Sequence, residues 1–201
     1  MIDFITSSED FVKESSQLNE VIRENVDFTH NPFDLSFNVF VAFEFDRIYS
    51  EPFYTGIQSF LRVIANDGFT FYTLTPSPKE YFNTYFSKYS VGKISLNTSY
   101  DDYMEFLDRD PGDSPADALL HNAETIALYS KEPIWGITGS KDLEIGIVGF
   151  KDDTTKSKFM RCFDKDTFVD VSTRLNDLDE MLMLPPDIKA IHSGIANSYS
   201  R

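Results

Sequence analysis

Cysteine is nearly absent from this 201-residue sequence, which contains only Cys162. A single thiol cannot form a disulfide within the chain, so the composition is not that of a small secreted domain stapled by disulfide bonds. Histidine is also scarce, since His30, His121 and His192 stand alone without a pair at helical spacing. The usual zinc-ligand patterns are therefore missing, and we predict neither a metal nor another cofactor.

Long apolar runs are missing as well. No segment approaches the roughly 18 apolar residues that a membrane-spanning helix requires. The first residues, MIDFITSSEDF, contain neither the basic nor the apolar region of a secretory signal peptide. Together with the shortage of cysteine, these features predict a cytoplasmic protein without a membrane partner.

Basic residues are few, with 18 Lys and Arg against 33 Asp and Glu, and the formal net charge is −15. A field of this sign repels nucleic acid and attracts basic proteins. The sequence therefore predicts no nucleic-acid partner and favours a basic protein partner. The alternative interpretation is that the acidity only keeps the chain in solution.

Aromatic residues are abundant, with 19 Phe and 10 Tyr, and 41% of the chain is hydrophobic. A chain of this size and composition can bury a core without disulfides or metals. We predict one globular domain over residues 1–184. The Pro185-Pro186 pair ends its last helix, and residues 185–201 are predicted to form a tail that is either a short helix or loose.

Four Ser-x-x-Asp/Glu patterns mark helix starts, at Ser7, Ser77, Ser99 and Ser114. In each pattern the serine hydroxyl can accept a hydrogen bond from a main-chain amide of the first helical turn. Apolar residues at helical spacing follow several of these starts and recur elsewhere. They predict helices over residues 57–64, 81–89, 100–107, 119–127 and 171–182.

Alternating apolar residues predict strands. The longest such segment covers residues 35–45, and shorter ones cover 69–74, 93–97 and the two arms of 134–150. The predicted fold class is α+β, with a mixed sheet of about five strands that ends in a hairpin and has helices packed on it. An α/β sandwich is the close alternative.

The hairpin segment, IWGITGSKDLEIGIVGF, contains the only tryptophan and a run that superficially resembles a phosphate-binding loop. A P-loop needs four residues between its glycines and a helix after its lysine, whereas two residues separate Gly136 from Gly139 and a strand-like segment follows. We therefore predict a turn over residues 139–142 in which Gly139 adopts a positive φ. Trp135 is predicted to be a core residue, and a partner-binding anchor is the alternative.

One acidic segment is a candidate partner-binding surface. Arg109 is its only base, and its candidate residues are Asp101, Asp102, Glu105, Asp108, Asp110 and Asp113. Like charges at helical spacing cost stability, so their retention favours a role in binding a basic partner. The alternative is a solvated helix face near helix N-termini, whose dipoles favour Asp. The DRDPGD run lacks the glycine and glutamate positions of a calcium loop.

Catalytic patterns are missing, and we predict no catalytic residues. The sequence contains neither a nucleophile elbow nor a dinucleotide-binding glycine pattern. Cys162 lies beside Arg161 and close to Lys165, whose charges could lower its pKa. The alternative is that Cys162 is a small buried apolar residue.

The run from Ser114 through ALYSKEPIWGITGSKDLEIGIVGF resembles the immunity-protein class of bacterial polymorphic toxin systems, which bind and block a cognate toxin. The resemblance implies an acidic inhibitor of a basic toxin domain and assigns no residue a role. With the charge, it favours a non-enzymatic acidic protein-binding module. An enzyme with a carboxylate-lined pocket and a structural or assembly component are the alternatives.

Overall fold

The computed structural model of the protein describes residues 2–23, 30–112 and 115–199. Its centre is one sheet of six strands. In chain order these are β1 (Val39–Glu44), β2 (Gly68–Thr75), β3 (Val91–Ser95), β4 (Thr125–Tyr129), β5 (Trp135–Ser140) and β6 (Ile145–Phe150). The spatial order is β1-β6-β5-β4-β2-β3, and all five neighbouring pairs are antiparallel.

Helices cover both faces of this sheet. They are α1 (Ser8–Asn19), α2 (Glu51–Val63), α3 (Thr84–Phe86), α4 (Tyr100–Asp108), α5 (Leu119–Asn122), α6 (Asp153–Met160), α7 (Val171–Met181) and α8 (Pro186–Tyr199). A π-helical segment, Pro78–Asn83, leads into α3, and 3-10 turns cover Phe45–Tyr49 and Pro115–Asp117. In the part of the chain that the structure describes, no helix is both long and apolar enough to cross a membrane.

The core is divided into two clusters because successive strand residues point to opposite faces of the sheet. In β4, Ile126 and Leu128 belong to the first cluster, and Ala127 and Tyr129 belong to the second. Helices α2, α4, α5 and α6 contribute to the first cluster. Helices α1, α7 and α8 contribute to the second. The result is a three-layer arrangement with helices above and below an antiparallel sheet.

The predicted α+β class is confirmed, but the sheet has six strands rather than about five and is antiparallel throughout rather than mixed. The added strand is β4, which overlaps the end of the segment predicted to be a helix over residues 119–127. Only α5 is helical there. The chain beyond it extends because β4 pairs with β2 on one side and β5 on the other.

The first predicted strand is shorter than expected. Pairing with β6 starts at Val39, and a 3-10 turn replaces strand after Glu44. Leu35, the first residue of the predicted alternation, is 71% exposed. Phe37 is buried, but it lies in the loop that leads into β1.

Three of the four predicted helix starts are confirmed. The hydroxyl oxygens of Ser7, Ser77 and Ser99 each accept a hydrogen bond from the amide three residues later, at 3.1–3.3 Å. Ser114 lies outside the described residues. Local capping chemistry thus sets the starts of α1, of the π-helical segment and of α4.

The segment predicted to be a tail is occupied by α8, which begins at the second of the two prolines. Its residues His192, Ile195 and Tyr199 are buried. The ring of Tyr199 packs edge-on against Phe40, with 5.0 Å between centroids. Helix α8 therefore forms an antiparallel hairpin with α7 on the second face of the sheet.

Candidate functional site

The predicted acidic segment lies on and just after α4. Asp101, Glu105 and Asp108 are all exposed, because the opposite side of α4 packs into the first core cluster. Arg109 donates to Glu105 at 3.1 Å and to Asp3 at 3.2 Å, which ties the end of α4 to the N-terminal segment. The structure thus brings three of the predicted carboxylates to one surface and partly neutralises one of them.

Two further residues of this segment have local structural roles. Ser99 donates to Asp102 at 2.6 Å, and this hydrogen bond lowers the pKa of the carboxyl group. Asp110 accepts a hydrogen bond from the amide of Gly112 at 2.8 Å and so closes a turn. Asp113 lies outside the described residues. The acidity of the segment is therefore explained in part by capping and turn formation.

The hairpin of β5 and β6 is structural. Trp135 is fully buried and packs edge-on against Phe60, with 5.5 Å between ring centroids, which confirms the predicted core role. The turn prediction was wrong, because Gly139 lies inside β5 and the turn covers residues 141–144. Glu144 takes the positive φ instead, at 51°. The ring of Phe45 occupies the space that a Cβ at position 139 would need, so glycine is required there for packing.

A cleft of about 850 Å³ lies between the start of α2 and the loop after α6. Four exposed carboxylates line it together with two arginines: Glu44, Asp46, Glu51, Asp164, Arg47 and Arg161. Cys162 also lines this cleft, and burial raises the pKa of its thiol. Since Cys162 Sγ donates to the carbonyl of Lys158 at 3.4 Å, the thiol is a helix-end contact rather than an activated nucleophile.

Among the described residues, no three His, Cys, Asp or Glu side chains are grouped so that they could hold a metal ion. His192, one of the three isolated histidines, instead contacts a carboxylate across two helices. Its Nδ1 lies 2.6 Å from Asp179 Oδ1, and both side chains are largely buried. This contact fastens α8 to α7.

An exposed apolar surface lies where α7 turns into α8, and we call Met181, Leu182, Met183 and Ile191 the hairpin corner. Their side chains are 63%, 46%, 86% and 44% exposed, respectively. Elsewhere in the described chain, large exposed apolar side chains are scattered singly along the sequence. Sequence reasoning missed this surface. The available signal was the MLML run before Pro185, in which Met181 and Met183 do not fit the helical spacing of Leu175, Leu178 and Leu182.

The backbone at the hairpin corner is strained. Met183 has φ of 48°, the left-handed conformation that glycine normally occupies after a helix. The amide of Leu184 donates to the carbonyl of Asp179 at 3.3 Å. A hydrogen bond that spans six residues in this way is typical of the Schellman motif at helix C-termini. A side chain at this position costs about 1 kcal/mol relative to glycine. The fold therefore displays a large apolar side chain where glycine would be more stable.

Acidic side chains surround the hairpin corner. Asp177, Glu180 and Asp187 are exposed within or beside it, and Lys189 is the exposed base in the same stretch. The corner thus combines an apolar centre with a predominantly negative rim. Apolar centres with charged rims are typical of protein–protein contact surfaces.

Comparisons with protein-family models, with curated proteins and with solved structures found no match to this chain.

Proposed function

We propose that this protein is a non-enzymatic acidic binding module that holds a basic protein partner at the hairpin corner. The observation that carries the proposal is Met183, which is 86% exposed in a strained backbone conformation and belongs to the hairpin corner with three other exposed apolar side chains. This side chain lowers the stability of the fold and is mostly exposed to solvent. A contact with another protein would account for its presence.

The charge of the rim supports a basic partner rather than a second copy of the same chain. A symmetric dimer through the corner would bring Asp177, Glu180 and Asp187 of one copy against the same residues of the other. Each copy also has a net charge of −15. Opposing like charges at an interface are costly, whereas a basic partner would be attracted by the same groups.

The specific form that we propose is an immunity-type inhibitor of a basic toxin domain. It rests on the sequence resemblance and on the acidic character of the chain, which suits rapid association with a basic target. The cytoplasmic location stays a prediction. The main alternative is an enzyme that acts in the cleft beside Cys162. Two observations count against it: the carboxylates of this cleft are exposed, and burial raises the pKa of the thiol and so favours its neutral form.

A direct test uses a fluorescein-labelled synthetic helix with leucines on one face and lysines on the other. We expect Met183→Gly to weaken its binding about fivefold or more at roughly 0.15 M salt, mainly through faster dissociation. The same substitution should raise the free energy of unfolding by about 1 kcal/mol, because glycine relieves the left-handed strain. Fluorescence anisotropy and urea denaturation measure the two effects.

Leu35→Gly is the matched control, since it removes another exposed apolar side chain that lies far from Met183 in the sequence. Its affinity for the peptide should equal that of the unchanged protein. Equal affinity of Met183→Gly and the unchanged protein would overturn the proposal. So would a concentration-dependent dimer in sedimentation that Met183→Gly abolishes, because the corner would then bind a second copy.

A further inference from the structure

Helix α1 buries a charged residue at a position where its pattern calls for an apolar one. Its buried residues are Phe11, Glu14 and Leu18, which occupy one stripe of the helix. The Glu14 side chain is only 2% exposed. Because an unpaired buried carboxylate would be very costly, its surroundings must supply both charge and hydrogen bonds.

The surroundings do supply both. Lys93 on β3 places its Nζ 2.7 Å from Glu14 Oε1, and the hydroxyl of Thr70 on β2 donates to Oε2 at 3.1 Å. The hydroxyl of Tyr129 donates to the main-chain oxygen of Glu14 at 3.0 Å. Burial, followed by the negative charge of Glu14, raises the pKa of Tyr129, so this phenol stays protonated as a donor. Glu14 is thus a fixed anchor for the lysine.

A cavity of about 310 Å³ opens above this anchor, between α1 and the β2–β3 edge of the sheet. Lys13, Lys93 and Lys131 all line it, and they come from α1, from β3 and from the loop between β4 and β5. Asp67 is the other carboxylate in its lining besides Glu14. Within the residues described, neither Lys13 nor Lys131 forms an ion pair.

We propose that this cavity, which we call the Glu14 cavity, binds a small phosphate-bearing anion. Three lysines converge on it from separate elements in a chain whose net charge is −15. Glu14 and Asp67 offset two of these charges, so the charged side chains that line the cavity leave a net charge of +1, and an anion relieves the repulsion that remains among the lysines. Glu14 holds the Lys93 ammonium in place, so part of the entropy cost of ordering a flexible lysine is met before the ligand arrives.

Phosphate is favoured over carboxylate by the type of base present. Arginine forms two parallel hydrogen bonds with either anion, and no arginine is among the described residues that line the Glu14 cavity, so the lysines determine which anion fits. Lysine is a compact point charge, and three such charges from different directions suit a tetrahedral anion. The site is separate from the hairpin corner, so the ligand and the protein partner can be tested independently.

The experiment is calorimetric titration of the full chain with inorganic phosphate and, separately, with glycerol 3-phosphate. We expect one site, with a Kd on the order of 1 mM for inorganic phosphate. The double variant Lys13→Gln/Lys131→Gln should weaken binding about tenfold or more, and its fold should survive because neither lysine is paired. In ¹H–¹⁵N spectra, the amides of Thr70 and Lys93 should shift during the titration.

The double variant Lys158→Gln/Lys165→Gln is the matched control, since it removes the same charge from exposed positions outside the Glu14 cavity. Its affinity for phosphate should stay within about twofold of the unchanged protein. Tighter binding of glycerol 3-phosphate would identify an organic phosphate as the ligand, and equal affinities would identify free phosphate. Equal affinity in both double variants, or acetate binding as tightly as phosphate, would overturn the proposal.

Discussion

Single buried polar atoms show where this core departs from simple apolar packing. Trp135 Nε1 is buried without a hydrogen-bond partner among the described residues, whereas the Glu14 carboxylate is fully engaged. The two cases have different consequences, because an unsatisfied donor costs stability and a satisfied carboxylate fixes its partners. Trp135 therefore stabilises the core by its area and shape, despite its N–H group.

This distinction leads to a prediction for two variants of Trp135. Trp135→Ala should lower the free energy of unfolding by about 3–5 kcal/mol, because it leaves a cavity beside Phe60. Trp135→Phe should cost much less, since it keeps most of the ring contacts and removes the unsatisfied N–H. Urea denaturation followed by circular dichroism measures both. Equal losses for the two variants would show that the indole N–H has a partner.

Among the elements, those with an unambiguous local pattern could be predicted, whereas β4, whose pattern is ambiguous, could not. The serines that begin α1 and α4 act within one helical turn, so their sequence patterns were sufficient. Strand β4 was predicted as helix because its short apolar run fits both periods, and its pairing with β2 and β5 decides the outcome. The charge pattern predicted the exposed side of α4, but the hairpin corner depends on where α8 docks.

Helix α6 provides an element-scale prediction. Asp152 caps it by accepting from the amide and hydroxyl of Thr155, at 2.8 and 2.9 Å, and these hydrogen bonds lower the pKa of its carboxyl group. Asp152→Ala should therefore cost about 1 kcal/mol at neutral pH, whereas Asp152→Asn should cost little because asparagine also caps helices.

The pH dependence of this cap follows from the direction of the shift. The folded-state pKa of Asp152 is below its unfolded value, so the capping contribution is present above about pH 4 and is lost as the pH falls through the lowered pKa. Urea denaturation between about pH 2 and pH 7 should show that the difference between the original protein and Asp152→Ala shrinks in acid. A difference that stays constant across this range would contradict the capping role of the carboxylate.

At the scale of the whole molecule, the sheet separates the two surfaces for which a role in binding is proposed. Helix α4 packs on the first face, and α7 and α8 pack on the second. A partner seated on the hairpin corner therefore does not also contact the exposed carboxylates of α4. Those carboxylates can still contribute to the field that draws a basic partner toward the protein.

A variant in which four carboxylates of the α4 segment are changed to Asn or Gln tests whether this surface acts only through its charge. The four residues are Asp101, Glu105, Asp108 and Asp110. Association with the basic peptide should slow clearly at about 0.02 M salt and little at about 0.5 M salt, while dissociation stays the same. Stopped-flow fluorescence measures both rates. A faster dissociation rate in this variant would instead place α4 inside the interface, as the sequence alone suggested.

The order of strands also governs when the chain can fold during its synthesis. Strand β1 is complete at residue 44, yet its partner β6 follows roughly a hundred residues later, and the bridge from Ala42 to Val169 follows later still. An apolar strand with both edges unpaired is prone to aggregate. During translation this strand therefore stays unpaired, and folding is completed only near the end of translation. We expect chaperones that shield nascent apolar segments to determine the yield of native protein.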